Sequence, residues 1–96
     1  MAKPRTPHDD GPPVSITIYP TPGGWRHSVS TEKGGLLCGA LRHLPTDATG
    51  DQARAAATEL VRSVGREFHS VELDVDWSPA DTEGWWVGAA RPHRGS

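Results

Sequence analysis

Val71-Glu72-Leu73-Asp74-Val75-Asp76-Trp77 is the strictest alternation in the chain, with an apolar residue at each odd position and a carboxylate at each even one. Successive side chains of a strand point to opposite faces, so this stretch reads as a β-strand with one buried face and one wet face. A strand with one buried face needs a layer to cover it. The residues just upstream supply that layer. Ala53, Ala57, Leu60, Val64 and Phe68 recur at helical spacing with Ala56 and Val61 beside them, while Arg54, Glu59, Arg62 and Glu67 fall at the rim. Thr49 followed by Gln52 fits a capping box, and Asp51 suits the first turn of a helix dipole. The far end has two readings: Gly65 is a helix terminator, or it lies inside a longer helix that reaches Phe68.

Further upstream, Val14, Ile16 and Ile18 alternate with Ser15, Thr17 and Tyr19, a β-branched strand pattern. Pro20 to Gly24 has the residues of a hairpin loop. Trp25, His27 and Val29 then alternate with Arg26, Ser28 and Ser30 in a second strand. Glu32-Lys33-Gly34-Gly35 is another turn, and Leu36 to Leu44 reads as a third strand, interrupted by Gly39 and Arg42 and ended by Pro45. Downstream of Trp77, Ser78 to Gly84 is a loop by composition, and Trp85 to Ala90 makes a final strand. The pattern predicts an α+β fold of two layers: a mostly antiparallel sheet of four to five strands in the order β-β-β-α-β-β, with one helix packed on one face. Residues 1–13 and 91–96 read as disordered tails around a single domain over residues 14–90. The order of elements loosely resembles that of small HicB-type antitoxin domains and of β-grasp folds. The strand at Leu36 to Leu44 departs from the simplest β-grasp pattern, and no diagnostic motif ties the chain to either family.

Leu, Ile, Val and Phe make up 16 of the 96 residues, so the core is thin, and the four Trp residues tip the balance toward folding. The formal net charge is only -2, and eight of the ten basic residues are Arg, a bias of the kind GC-rich genomes impose. These arginines are scattered along the chain, which disfavours non-specific nucleic-acid binding. No apolar run is long enough to span a bilayer, and the lone Cys38 has no partner for an internal disulfide. The expectation is a cytoplasmic protein that does not engage membranes, with Cys38 an inert thiol buried among leucines.

Glu72, Asp74 and Asp76 project from one side of their strand with roughly 6.5 to 7 Å between neighbours. Three readings fit them: a solvated face that keeps the edge from pairing, a divalent-cation site, or a surface that recognises a basic partner together with Asp81 and Glu83. Trp77 and Trp25 read as core. Adjacent Trp85 and Trp86 must point to opposite sheet faces, so one of them lies on the face without the helix, where an exposed indole is a common interface anchor. His27 and His43 read as sheet-surface or edge residues, and the five His residues and Cys38 show no metal-ligand spacing. The expected function is a small non-enzymatic interaction module without cofactor or metal. It binds a protein partner or another copy of itself through Trp85, Trp86, Glu72, Asp74 and Asp76. The alternatives are a metal-dependent hydrolase built on those carboxylates and a single-stranded nucleic-acid binder.

Overall fold

The computed structural model describes residues 11–41 and 43–93. The expected tail residues 1–10 and 94–96, and Arg42 of the expected third strand, lie outside these. The elements are β1 (Pro13–Thr21), β2 (Gly24–Thr31), β3 (Leu36–Ala40), α1 (Gly50–His69), β4 (Leu73–Pro79) and β5 (Trp86–Pro92). The five strands form one sheet in the order β3-β2-β1-β5-β4, and each neighbouring pair is antiparallel. The helix therefore carries the chain from one edge of the sheet to the other. The fold is the expected small α+β arrangement of one helix against an antiparallel sheet.

Directly opposed residues share a face, so the register sorts the sheet into two surfaces. Ile16 faces Val29 and Gly88, while Ile18 faces His27 and Trp86. This side is covered by α1. Its core consists of Ile16, Ile18, Trp25, Val29, Leu41 and Leu73 against Ala53, Ala57 and Val61. The buried stripe of the helix is Ala53, Ala57, Val61 and Gly65. Leu60, Val64 and Phe68, which periodicity also placed in the core, are only half-buried because they flank the buried stripe of small residues rather than belong to it. Val14 is exposed rather than aligned with Ile16, since an irregularity between Pro13 and Ser15 turns it outward.

The helix starts as its sequence dictates. Thr49 Oγ1 accepts from the Gln52 N–H at 3.1 Å, and Gln52 Oε1 accepts from the Thr49 N–H at 2.9 Å, completing the capping box. The other end passes Gly65 and runs to His69, with Ser70 as a left-handed cap whose N–H, like that of Val71, donates to Gly65 O. Gly65 is thus no terminator. It is the point where the returning chain crosses the helix, and a Cβ there would lie 2.8 Å from Val71 O and 2.9 Å from Leu73 Cδ1.

Three indoles tie the layers together. Trp25 Nε1 donates to Ala48 O at 2.8 Å and fastens the segment after β3 to the sheet. Trp77 Nε1 donates to Thr58 Oγ1 at 2.9 Å, and that hydroxyl donates in turn to Arg54 O. The Trp77 ring lies over Gly88 of β5, a close approach that leaves no space for a Cβ. Trp86 lies under the Arg54 guanidinium, 3.8 Å from the ring centroid.

A glycine inside a helix ordinarily gains about 1 kcal/mol of stability on replacement by alanine. Gly65→Ala is expected to reverse that sign and lose about 1 to 2 kcal/mol, because overpacking costs outweigh the propensity gain. Gly88→Ala should lose at least as much, since its Cβ would meet the stiff Val75 side chain and the Trp77 ring. Urea unfolding of the two variants beside the parent checks both.

Candidate interaction surface

The sheet face away from the helix is open. One row across it runs Cys38, Ser28, Thr17, Val87 and Ser78, each opposed to the next in register. The adjacent row runs Leu36, Ser30, Ser15, Ala89 and Asp76. These are short side chains, mostly hydroxyl-bearing or small and apolar, so the middle of the face is flat and nearly uncharged. At one end stands an aromatic pair. Tyr19 of β1 stacks on Trp85 with ring centroids 4.6 Å apart and planes 23° from parallel. Trp85 is held by its backbone: its N–H donates to Thr82 O at 3.1 Å and its carbonyl accepts from Ala80 N–H at 3.0 Å. The adjacent indoles do part to opposite faces. Trp85 is half-buried on the open face, and Trp86 packs on the helix side against the core. The sequence signals Tyr19 only through its parity, opposite to Ile16 and Ile18, which places it on the open face.

The carboxylates of β4 are not a free acidic row. Asp74 Oδ1 accepts from Arg62 of the helix at 3.0 Å, and its other oxygen meets His93 Nδ1. The hydrogen bond from His93, together with the nearby Arg62, holds the Asp74 carboxyl below its ordinary value against a smaller opposing effect of burial. Asp76 pairs with Arg91 at 2.9 Å. Glu72 lies just before the strand, is exposed, and accepts the His93 N–H with its backbone carbonyl at 2.7 Å. The structure thus keeps Asp74 and Asp76 on one side of β4 but gives each a cationic partner. Such exposed pairs add little to the stability of the fold, and their main effect here is to cancel charge. Among the described residues no group of three His, Cys, Asp or Glu side chains is placed to hold a metal ion.

Two expectations are reversed. Cys38 is exposed, with its thiol 3.7 Å from Ser28 Oγ. The alternation of β3 turns Leu37 toward the helix side and Cys38 to the open side, which nothing covers among the described residues. His27 is not on the outer surface. It stands beside Trp25 and Val29 on the helix side and is half-buried. There it helps to line a groove of about 420 Å³ with Leu41, His43, Ala56, Leu60 and Ser63, beyond the edge of the helix. Its ring reaches over Gly39, where a Cβ would lie 3.3 Å from Nε2. Nδ1 is shielded from solvent and makes no hydrogen bond of normal geometry. Burial, and then the charge of Arg26, push the imidazole below 6.5, while the Leu37 backbone offsets this in part.

Comparison of the chain with protein-family models, with curated proteins and with solved structures gave no match in any of the three.

The depressed basicity of His27 has a consequence for stability. As pH falls, the unfolded chain binds its proton first, near 6.5, and folding loses free energy until the folded form also protonates. Stability should therefore be flat above about pH 7 and decline on acidification through 6.5, with Arg26 as the cation acting on the ring and His43 and Glu59 lining the same groove. Urea midpoints measured from pH 8 to pH 5 should show this decline in the parent and a flatter profile in His27→Gln.

Proposed function

We propose that this protein is a non-enzymatic interaction module that engages a protein partner through the open face of its sheet, with Trp85 as the anchor. The carrying observation is the Tyr19–Trp85 stack, which stands beside a flat face of short side chains. A large aromatic held in place by its neighbour loses little conformational freedom on binding, and such residues dominate interface energetics. Glu72, Asp74 and Asp76 then form a polar rim whose charges are largely matched by Arg62, Arg91 and His93. Trp86 contributes by packing beneath Arg54 rather than by contact with a partner. This reading has no cofactor, metal or membrane contact, and among the described residues no helix is long and apolar enough to cross a membrane. It places the protein in the cytoplasm, in keeping with a single unpaired thiol.

Arg26 and Arg91 share the open face with the aromatic pair, which favours single-stranded nucleic acid as the second reading, by base stacking. A metal-dependent hydrolase has less behind it, because Asp74 and Asp76 are already engaged by cationic side chains.

Trp85→Ala should leave the fold intact and abolish retention of a partner on the immobilised protein. Trp86→Ala should instead lose about 3 kcal/mol of stability, as for a large aromatic removed from a core. Equal capture by the parent and by folded Trp85→Ala would sink the proposal. Salt-sensitive quenching of Trp85 fluorescence by oligonucleotides would move the assignment to the second reading.

A further inference from the structure

The two edges of the sheet are protected differently. Edge strand β4 carries Asp74, Asp76 and Pro79, residues that discourage pairing with another chain. The opposite edge, β3, is Leu36-Leu37-Cys38-Gly39-Ala40, with no charge, no proline and Leu36 61% exposed. Its backbone polarity follows from its pairing with β2. Leu41 N–H donates to Trp25 O at 2.9 Å, and Thr31 N–H donates to Gly35 O at 3.0 Å. Hydrogen-bonded and non-hydrogen-bonded pairs alternate along an antiparallel ladder. Leu37 and Gly39 therefore direct their N–H and C=O groups inward to β2, while Leu36, Cys38 and Ala40 direct theirs outward, where no described strand receives them.

We infer that this edge is a homodimer interface, in which β3 pairs antiparallel with β3 of a second copy about a twofold axis at Cys38. The strand is complementary to itself in that register. Leu36 falls opposite Ala40 of the second copy and Leu37 opposite its Gly39, so on both faces each large side chain meets a small one. Cys38 falls opposite Cys38. The outward N–H and C=O groups of Leu36, Cys38 and Ala40 then bond across the axis, and the absence of charge removes the like-charge repulsion that a twofold pairing of a charged strand creates. The same pairing of β4 would set its carboxylates against one another. Beside β3 on the helix face, the groove lined by Leu41 and Leu60 adds apolar surface next to the axis. A strand of this length buries less area than an obligate interface, so the dimer is one that dissociates on dilution.

This inference does not rest on the reading of the open face, and Trp85→Ala should dimerise as the parent does. Light scattering on the full chain over a concentration series in reductant should approach twice the 10.3 kDa chain mass. Cys38→Ser should behave likewise, since no disulfide is involved. Cys38→Lys, which sets two ammonium groups against each other at an exposed position, should remain at the monomer mass with an unchanged circular dichroism spectrum. If that variant fails to fold, amide hydrogen exchange of the parent serves instead. Raising the concentration should slow exchange at Leu36, Cys38 and Ala40 while leaving Leu37 and Gly39 as they were. A monomer at every concentration, a folded Cys38→Lys dimer, or new protection confined to other residues would each overturn the inference.

Discussion

One helix cannot cover five strands. A helix with its side chains is roughly 10 Å across, whereas five strands at about 4.8 Å spacing span roughly 19 Å between the outer axes. The helix here rests on β1 and β4, at the end of the sheet reached by the chain after it. Its contact stripe of Ala53, Ala57, Val61 and Gly65 is narrow and lets the layers come close. The rest of the surface follows from that placement. The β2–β3 end of the helix face is left as a groove with His27 in its wall, β3 is left as a bare edge, and the far face of the sheet is left open.

A core built from so few aliphatic residues needs other means of holding the layers. Each of three indoles joins two elements, and two of them also satisfy their N–H groups inside the structure. Buried amphipathic rings of this kind add a large contact area, and each satisfied N–H avoids the cost of an unpaired donor. Gly88 belongs to the same device, because only a residue without a Cβ lets Trp77 lie flat between sheet and helix. The open face, by contrast, is built of Ser, Thr, Ala and Val, so its one aromatic pair stands out as a point of contact. That pair and the β3 edge are separate surfaces. A dimer joined at β3 would bring two open faces into one continuous sheet and present two copies of the Tyr19–Trp85 anchor, which raises avidity for a partner with repeated sites.

Periodicity by itself determined the kind and order of the elements, the capping box at Thr49 and Gln52, and the parting of Trp85 and Trp86 to opposite faces. All of these depend on backbone geometry over a few residues. The tertiary structure decided which strands are neighbours and hence which residues meet. It brought Arg62 and His93 to Asp74 and Arg91 to Asp76, turning an apparently acidic strand into a neutralised one. It exposed Cys38 and half-buried His27, because the register of β2 and β3 puts Cys38 on the open face and His27 on the helix side. It also ran the helix through Gly65, choosing between the two readings local sequence leaves open, because the close crossing of Val71 and Leu73 requires a residue without a Cβ there. Alternation assigns a side chain to one of two faces, but it carries no information about which face a helix will cover or which strand will be left at the edge. Those are set by pairings between residues far apart in the chain.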